Sequence, residues 1–302
     1  KHHQAYDHED FQMRPTFRPD KALQIQNRES YLTYLQKLEQ VSGKSIGNYT
    51  DLLEVLQSRV RFFDQLGCKL ADHGLEVLPQ QMPGTSDPET VFRKVLEGAS
   101  VSVEEVSDFQ FHLLAELCSW YHDYGWVQQF HLGAIRNNNS RMLSTLGADT
   151  GYDSIGDLSQ AMALSGFLNH LEKADQLAKT VLYNLNPAHN EVFATMAGNF
   201  QAQGVKGKIQ FGSAWWFLDQ KDGMEKQLNA LSNLGLISCF VGMLTDSRSL
   251  LSFPRHEYFR RIVCNLFGND VARGELPADE AWLGKIVADI AYHNAKDYFN
   301  FS

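Results

Sequence analysis

A parallel α/β fold is predicted by three features of this sequence. Short apolar runs alternate with longer stretches whose apolar residues recur at helical spacing. Several of the longer stretches finish at a glycine standing just before the next short run. The chain has 302 residues, 43% hydrophobic and 21% charged, enough for one large domain or two small ones.

The expected strands, in order, are RPTFR (14–18), CKLADH (68–73), WVQQFHL (126–132), TVLYNLN (180–186), KIQFGSAWWF (208–217) and CFVGMLTD (239–246). Helical patterns stand between them: ESYLTYLQKLEQVSG, YTDLLEVLQSRVRFFDQLG, SDFQFHLLAELCSWYHDYG, DLSQAMALSGFLNHLEKA, HNEVFATMAGNFQ and DGMEKQLNALSNLG. Gly43, Gly67, Gly125 and Gly235 are the expected C-caps. Residues 77–108 break the rhythm, Pro/Gly-rich and then helical, and read as an insertion; a closing helix is expected over about 277–299, starting at the Pro277 to Glu280 signal. About six βα units are visible where a (β/α)8 barrel needs eight. Either the sheet is open, or one barrel domain spans 1–302 with its first one or two units upstream; the abrupt start favours the barrel. No GxGxxG or GxxxxGKS follows any expected strand, so no nucleotide cofactor is expected.

Net charge is −9 and the 27 Lys and Arg are scattered, which argues against a nucleic-acid or membrane partner. An anionic ligand would have to be held by local arginines. Cys68, Cys118, Cys239 and Cys264 form no CxxC, and no run approaches a membrane span or a signal peptide, so a reduced, cytoplasmic protein is expected. His2, His3 and His8 receive no role.

In a parallel barrel, chemistry belongs at the C-terminal ends of strands. Those positions hold Arg18, Asp72 and His73, His131 followed by RNNN, Asn184 and Asn186, Trp215 and Trp216, and Asp246 with Arg248. Asp246 suits a metal ligand or a general base, or else caps the helix of PRHEYFRRIVCNLFG. Arg248 makes capping a less complete account, since a cap needs no guanidinium, whereas a carboxylate substrate is held well by one. His131 either satisfies a local carbonyl in the core or points into the mouth of the sheet. The two tryptophans are rim packing or an apolar wall for a sugar-like ligand. Arg18 either binds a ligand or pairs with Asp20 or another carboxylate.

TFRPDKA, GCKLADHG, GWVQQFHLGAIRNNNSRM, LGADTGYDSIGD, NPAHNEVFATMAGNFQ, GKIQFGSAWWFLDQKDGM, GLISCFVGMLTDSRSLLSFPRHEYFRRI and AYHNAKDYF together resemble the uronate isomerase family of amidohydrolase-like metal-dependent barrels. The resemblance runs in family order from about residue 14 to the C-terminus. It implies a (β/α)8 barrel interconverting D-glucuronate with D-fructuronate and D-galacturonate with D-tagaturonate. It further implies Asp246 as metal ligand and proton-transfer group, and His131 as the active-site histidine. Arg248 and Arg18 become substrate-binding residues, with Trp215 or Trp216 as a wall near the sugar carboxylate. A divalent metal is implied; zinc is expected for a mixed His and carboxylate site, with manganese or iron as alternatives. The family's HxH pair on the first strand is absent from this chain, which again places the first units upstream. A homo-oligomer is compatible with this reading. Its competitors are a related metal-dependent hydrolase and a non-catalytic, sugar-acid-binding fragment.

Overall fold

The structure is a computed structural model that describes residues 13–84, 86–246 and 249–301. Its strands are β1 (Leu70–Leu75), β2 (Val127–Leu132), β3 (Ala134–Ile135), β4 (Ser154–Ile155), β5 (Thr180–Asn184) and β6 (Ile209–Phe211). Its α-helices are α1 (Arg28–Ser42), α2 (Tyr49–Gln65), α3 (Pro88–Glu97), α4 (Val103–Asp123), α5 (Ser140–Leu146), α6 (Ala161–Lys173), α7 (Asn190–Gly198), α8 (Lys221–Leu234), α9 (Pro254–Ala272), α10 (Glu280–Ala288) and α11 (Asn294–Tyr298). Strands β1-β2-β5-β6 form a sheet in that order, and β3 and β4 make a small antiparallel pair.

The residues fall into two compact units. The first comprises the described part of Lys1–Gly74 with Leu78–Gln129 and Met162–Lys179; the second comprises Leu75–Val77, Phe130–Ala161 and the described part of Thr180–Ser302.

In the first unit the helices start where side chains can satisfy their open N–H groups. Asn27, Asn48 and Asp87 each accept from the third residue onward, and Ser102 and Glu105 close a reciprocal capping box. Gly43 ends α1 in the left-handed conformation, while Gly67 and Gly125 take positive φ one residue beyond the caps of α2 and α4. The core gathers Phe17, Phe63, Tyr121 and Trp126, with ring centroids 5.1 to 6.2 Å from Phe17. The expected strand at 14–18 is reduced to one parallel bridge, Phe17 with Ala71, closed by Phe17 N–H to Leu70 O and Asp72 N–H to Phe17 O.

The second unit holds β5 and β6, which pair in parallel as expected for βα repetition. Every residue of β5 and β6 is buried, the mark of strands covered on both faces. Two sequence expectations need correction here. The run 208–217 is a strand only over β6, and turns at Trp216–Leu218 into a 3-10 segment. The run 239–246 forms no ladder, because carbonyls beside it are taken by side-chain amides: Asn294 donates to Ser238 and Phe240, and Gln210 to Cys239. Gly235 does cap α8, but in extended backbone rather than left-handed. The C-terminal segment is helical from Glu280, capped by Asp279, through a π-turn at Asp289–His293 to Tyr298. Ile290's carbonyl lies so close to Gly242, at φ +74°, that a Cβ there would stand 2.2 Å from it.

Candidate active site

Two polar constellations carry the residues singled out by the sequence, one in each unit. In the first, Arg18 follows the Phe17 bridge and Asp72 and His73 lie in β1. Arg18 Nη1 donates to Asp72 Oδ2 at 2.8 Å and Nε to Asp20 Oδ2 at 3.0 Å. The pairing expected as one alternative for Arg18 is therefore present, twice over, yet its side chain keeps 46% of its exposure. Gly74 forms the floor under it: a Cβ there would meet Arg18 Nη2 at 2.2 Å.

Asp20 is the hub. Its Oδ2 also accepts the Gly74 N–H at 2.9 Å, and its Oδ1 lies 2.9 Å from His73 Nδ1. Burial pushes this carboxyl up, but the His73 hydrogen bond and charge, the Gly74 N–H and Arg18 together bring it below the usual range. His73 is fully buried, and its Nε2 lies 3.2 Å from the hydroxyl of Tyr121 on α4. Burial raises the Tyr121 phenol, so it stays protonated. Asp20 was legible as a neighbour of Arg18; Tyr121, 48 residues from His73, was not.

In the second unit, His131 on β2 stacks on Tyr183 at 4.3 Å and 5°, and Trp215 meets it edge-on at 4.6 Å. Gly212 lets Tyr183 lie there, since a Cβ would be 2.4 Å from its ring. The structure separates the two tryptophans. Trp215 is 5% exposed, and its indole Nε1 has no hydrogen-bond partner among the described residues, like the Oγ of Ser213 two residues before it on the same extended stretch. Trp216, at φ +51°, turns away to stack on Phe217 and lies under the Arg136 guanidinium at 4.9 Å. The asparagines after His131 build their own loop. Asn137 takes positive φ, Asn138 donates to Ile135 O, and Asn139 caps α5. Asn184 and Asn186 likewise serve a turn: Asn184 bonds Asn186 O and Asn190, and Asn186 caps Pro187–His189.

Asp246 is exposed, at φ +40°. It does not cap the following helix, because α9 begins eight residues on, with Pro254 in its first turn. Its segment is instead held from α9. Arg255 Nη1 donates to Thr245 O at 2.9 Å and lies 2.6 Å from Asp219 Oδ2, and Tyr258 donates to Asp219 Oδ1 at 3.0 Å. Burial raises the Asp219 carboxyl; Tyr258 and Arg255 oppose the rise and the charge of Asp246 adds to it. Sequence spacing gave no signal for this brace. Arg248 lies outside the described residues.

Among the described residues no three His, Cys, Asp or Glu side chains are grouped to hold a metal ion. Asp246 alone does not make a metal centre, so these residues do not by themselves fit the expected cation. No described helix is long and apolar enough to cross a membrane.

A family profile described as glucuronate isomerase matches residues 1–299. The uronate isomerase of Flavobacterium johnsoniae is 60% identical over 289 residues, covering 96% of this chain and 62% of the relative. That of Geobacillus thermodenitrificans is 52% identical over 288 residues, covering 95% and 62%. The solved structure of uronate isomerase from Thermotoga maritima superposes with a TM-score of 0.89 at 30% identity, over 99% of this chain and 64% of that one. The chain thus spans a little over three-fifths of the length of the relatives it matches.

Proposed function

The chain belongs to the glucuronate isomerase family, and on that premise we propose that the protein containing it interconverts aldose and ketose hexuronates, D-glucuronate with D-fructuronate and D-galacturonate with D-tagaturonate. The observation that carries this reading is the match to the family over residues 1–299. The parallel sheet is read as part of a (β/α)8 barrel.

The chemistry moves one hydrogen from C2 to C1. In the proposed order, the Asp246 carboxylate takes the C2 proton as the C1 oxygen gains one, giving an enediol; the 2-hydroxyl then loses its proton as C1 receives one, leaving the ketose. Such a transfer needs the substrate held within hydrogen-bond reach, and its own carboxylate is the natural handle. Arg18 takes that anionic end in this reading, with Arg248 as a second guanidinium. His131 contacts the substrate, and Trp215, rather than Trp216, is its wall, because Trp215 packs edge-on to His131 and its buried indole N–H has no hydrogen-bond partner among the described residues. A divalent cation, zinc by expectation, is proposed as well. It would need ligands beyond those the described residues bring together, and no step above depends on it.

The test is a full-length preparation given D-glucuronate and followed by NMR and mass spectrometry. A ketose of unchanged mass is expected, and Asp246→Asn is expected to lose at least about a hundredfold in kcat. Products of lower mass would put a hydrolase in its place; tight binding without turnover would make it a binding module. A cytoplasmic setting and homo-oligomeric assembly are subsidiary proposals. The free thiols of Cys68, Cys118, Cys239 and Cys264 support the former; cell fractionation and light scattering test the two.

A further inference from the structure

We propose that Tyr121, His73 and Asp20 form a buried positioning chain for Arg18, and that this chain sets affinity for the charged end of the substrate. The proposal rests on the reading of Arg18 as an anion-binding group.

The hydrogen bonds converge on the Asp20 carboxylate. Asp20, ionised, can only accept, so His73 must donate from Nδ1. On the far side of the ring, His73 Nε2 lies 3.2 Å from the Tyr121 hydroxyl. The other Asp20 oxygen takes Arg18 Nε and the Gly74 N–H, which fixes the guanidinium plane against the glycine floor. The root of the chain is rigid: Tyr121 is fully buried, stacked on Trp126 at 5.9 Å and edge-on to Phe17. A buried histidine with both ring nitrogens engaged is an expensive feature unless its geometry is used. Here that geometry ends on Arg18, whose side chain keeps nearly half of its exposure. None of Tyr121, His73 or Asp20 is needed for the proton transfer proposed above, so they are positioning residues.

The two amide isosteres of histidine separate positioning from packing. The side-chain nitrogen of asparagine reaches the place of Nδ1 and keeps the bond to Asp20, whereas glutamine reaches the place of Nε2 and gives it up. In the full-length enzyme, His73→Gln is expected to raise KM for D-glucuronate roughly tenfold, with kcat within about threefold of wild type, and His73→Asn to hold KM within about threefold. Inhibition by gluconate should weaken with His73→Gln in step with KM, and inhibition by the neutral glucitol should not. Tyr121→Phe, which removes one oxygen, guards against a folding failure; it should raise KM about twofold to threefold, again only for charged ligands. Equal effects of Asn and Gln, equal weakening of both inhibitors, or a fall in kcat alone would overturn the proposal. A wild type that turns over no hexuronate would defeat the isomerase reading instead. Calorimetric titration of gluconate into the same variants would then still decide the positioning chain, supporting it if Gln weakens binding and Asn does not, and overturning it otherwise.

Discussion

Arg18 in the first unit and Asp246 in the second are held in opposite ways. Arg18 follows a bridge to β1 and is braced by groups rooted in the core, so its own position is part of the hydrogen-bonded framework. Asp246 stands on a stretch with no ladder, and a side chain from α9 clasps the carbonyl just before it. A residue fixed by backbone pairing is legible from strand spacing. One fixed by a distant side chain is not, because nothing local in the sequence marks the clasp.

Two glycines break this comparison most directly. A Cβ at Gly242 or at Gly74 would meet a neighbouring atom at the same 2.2 Å, but at Gly242 the atom is the Ile290 carbonyl and at Gly74 the tip of the Arg18 side chain. Gly242→Ala, also burdened by φ +74°, should cost about 3 kcal/mol of unfolding free energy in urea titrations. Gly74→Ala should cost under about 1 kcal/mol, since a flexible guanidinium can move aside, while gluconate affinity falls. Reversed costs would mean that the Arg18 brace is the stiffer of the two.

Next in size is the clasp itself. Asp219→Ala leaves Arg255 and Tyr258 without their shared, 3% exposed carboxylate, and should cost about 2 kcal/mol. Hydrogen exchange should accelerate over 240–246, and remain unchanged around Arg18. Protection lost evenly over both segments would show that the clasp is not local.

A smaller effect sharpens the contrast through its sign. The folded-state pKa of Asp20 is depressed from 3.8, so it adds stability that is present above that value and is lost as pH falls through the folded pKa. That of Asp219 is raised from 3.8, so its contribution is full below that value and is lost as pH rises through the folded pKa. Replacing Asp20 with Asn should therefore flatten the loss of stability on the acid side of 3.8, and replacing Asp219 with Asn should flatten the loss on the alkaline side. Urea titrations on either side of that pH read both slopes.

Much of the fold was legible because it follows local rules. Helices α1, α3 and α4 begin at Asn, Asp and Ser caps, and β5 carries the apolar run Val181–Tyr183 between Thr180 and Asn184. The strand expected at 239–246 failed for a physical reason that periodicity cannot register: an apolar run shows that a segment is buried, not what takes its carbonyls. The candidate site was legible by position alone: Arg18, His131, Trp215, Trp216 and Asp246 each stand at or near the end of an apolar run. The partners Tyr121, Arg255 and Tyr258 sit on helices far along the chain, where they look like ordinary surface or core residues.

Trp215 offers the smallest change in stability and a direct reading of purpose. Its indole N–H is buried with no partner among the described residues, so Trp215→Phe removes an unpaired donor along with some ring volume. These terms oppose each other, and unfolding free energy should shift by less than about 1 kcal/mol. If the N–H serves only packing, binding of gluconate will be as little affected as stability. If it is a donor to the ligand, the affinity of the full-length protein for gluconate should fall about threefold to tenfold while stability holds. Loss of stability without loss of affinity would place Trp215 with Trp216 among the rim residues and return His131 to the core.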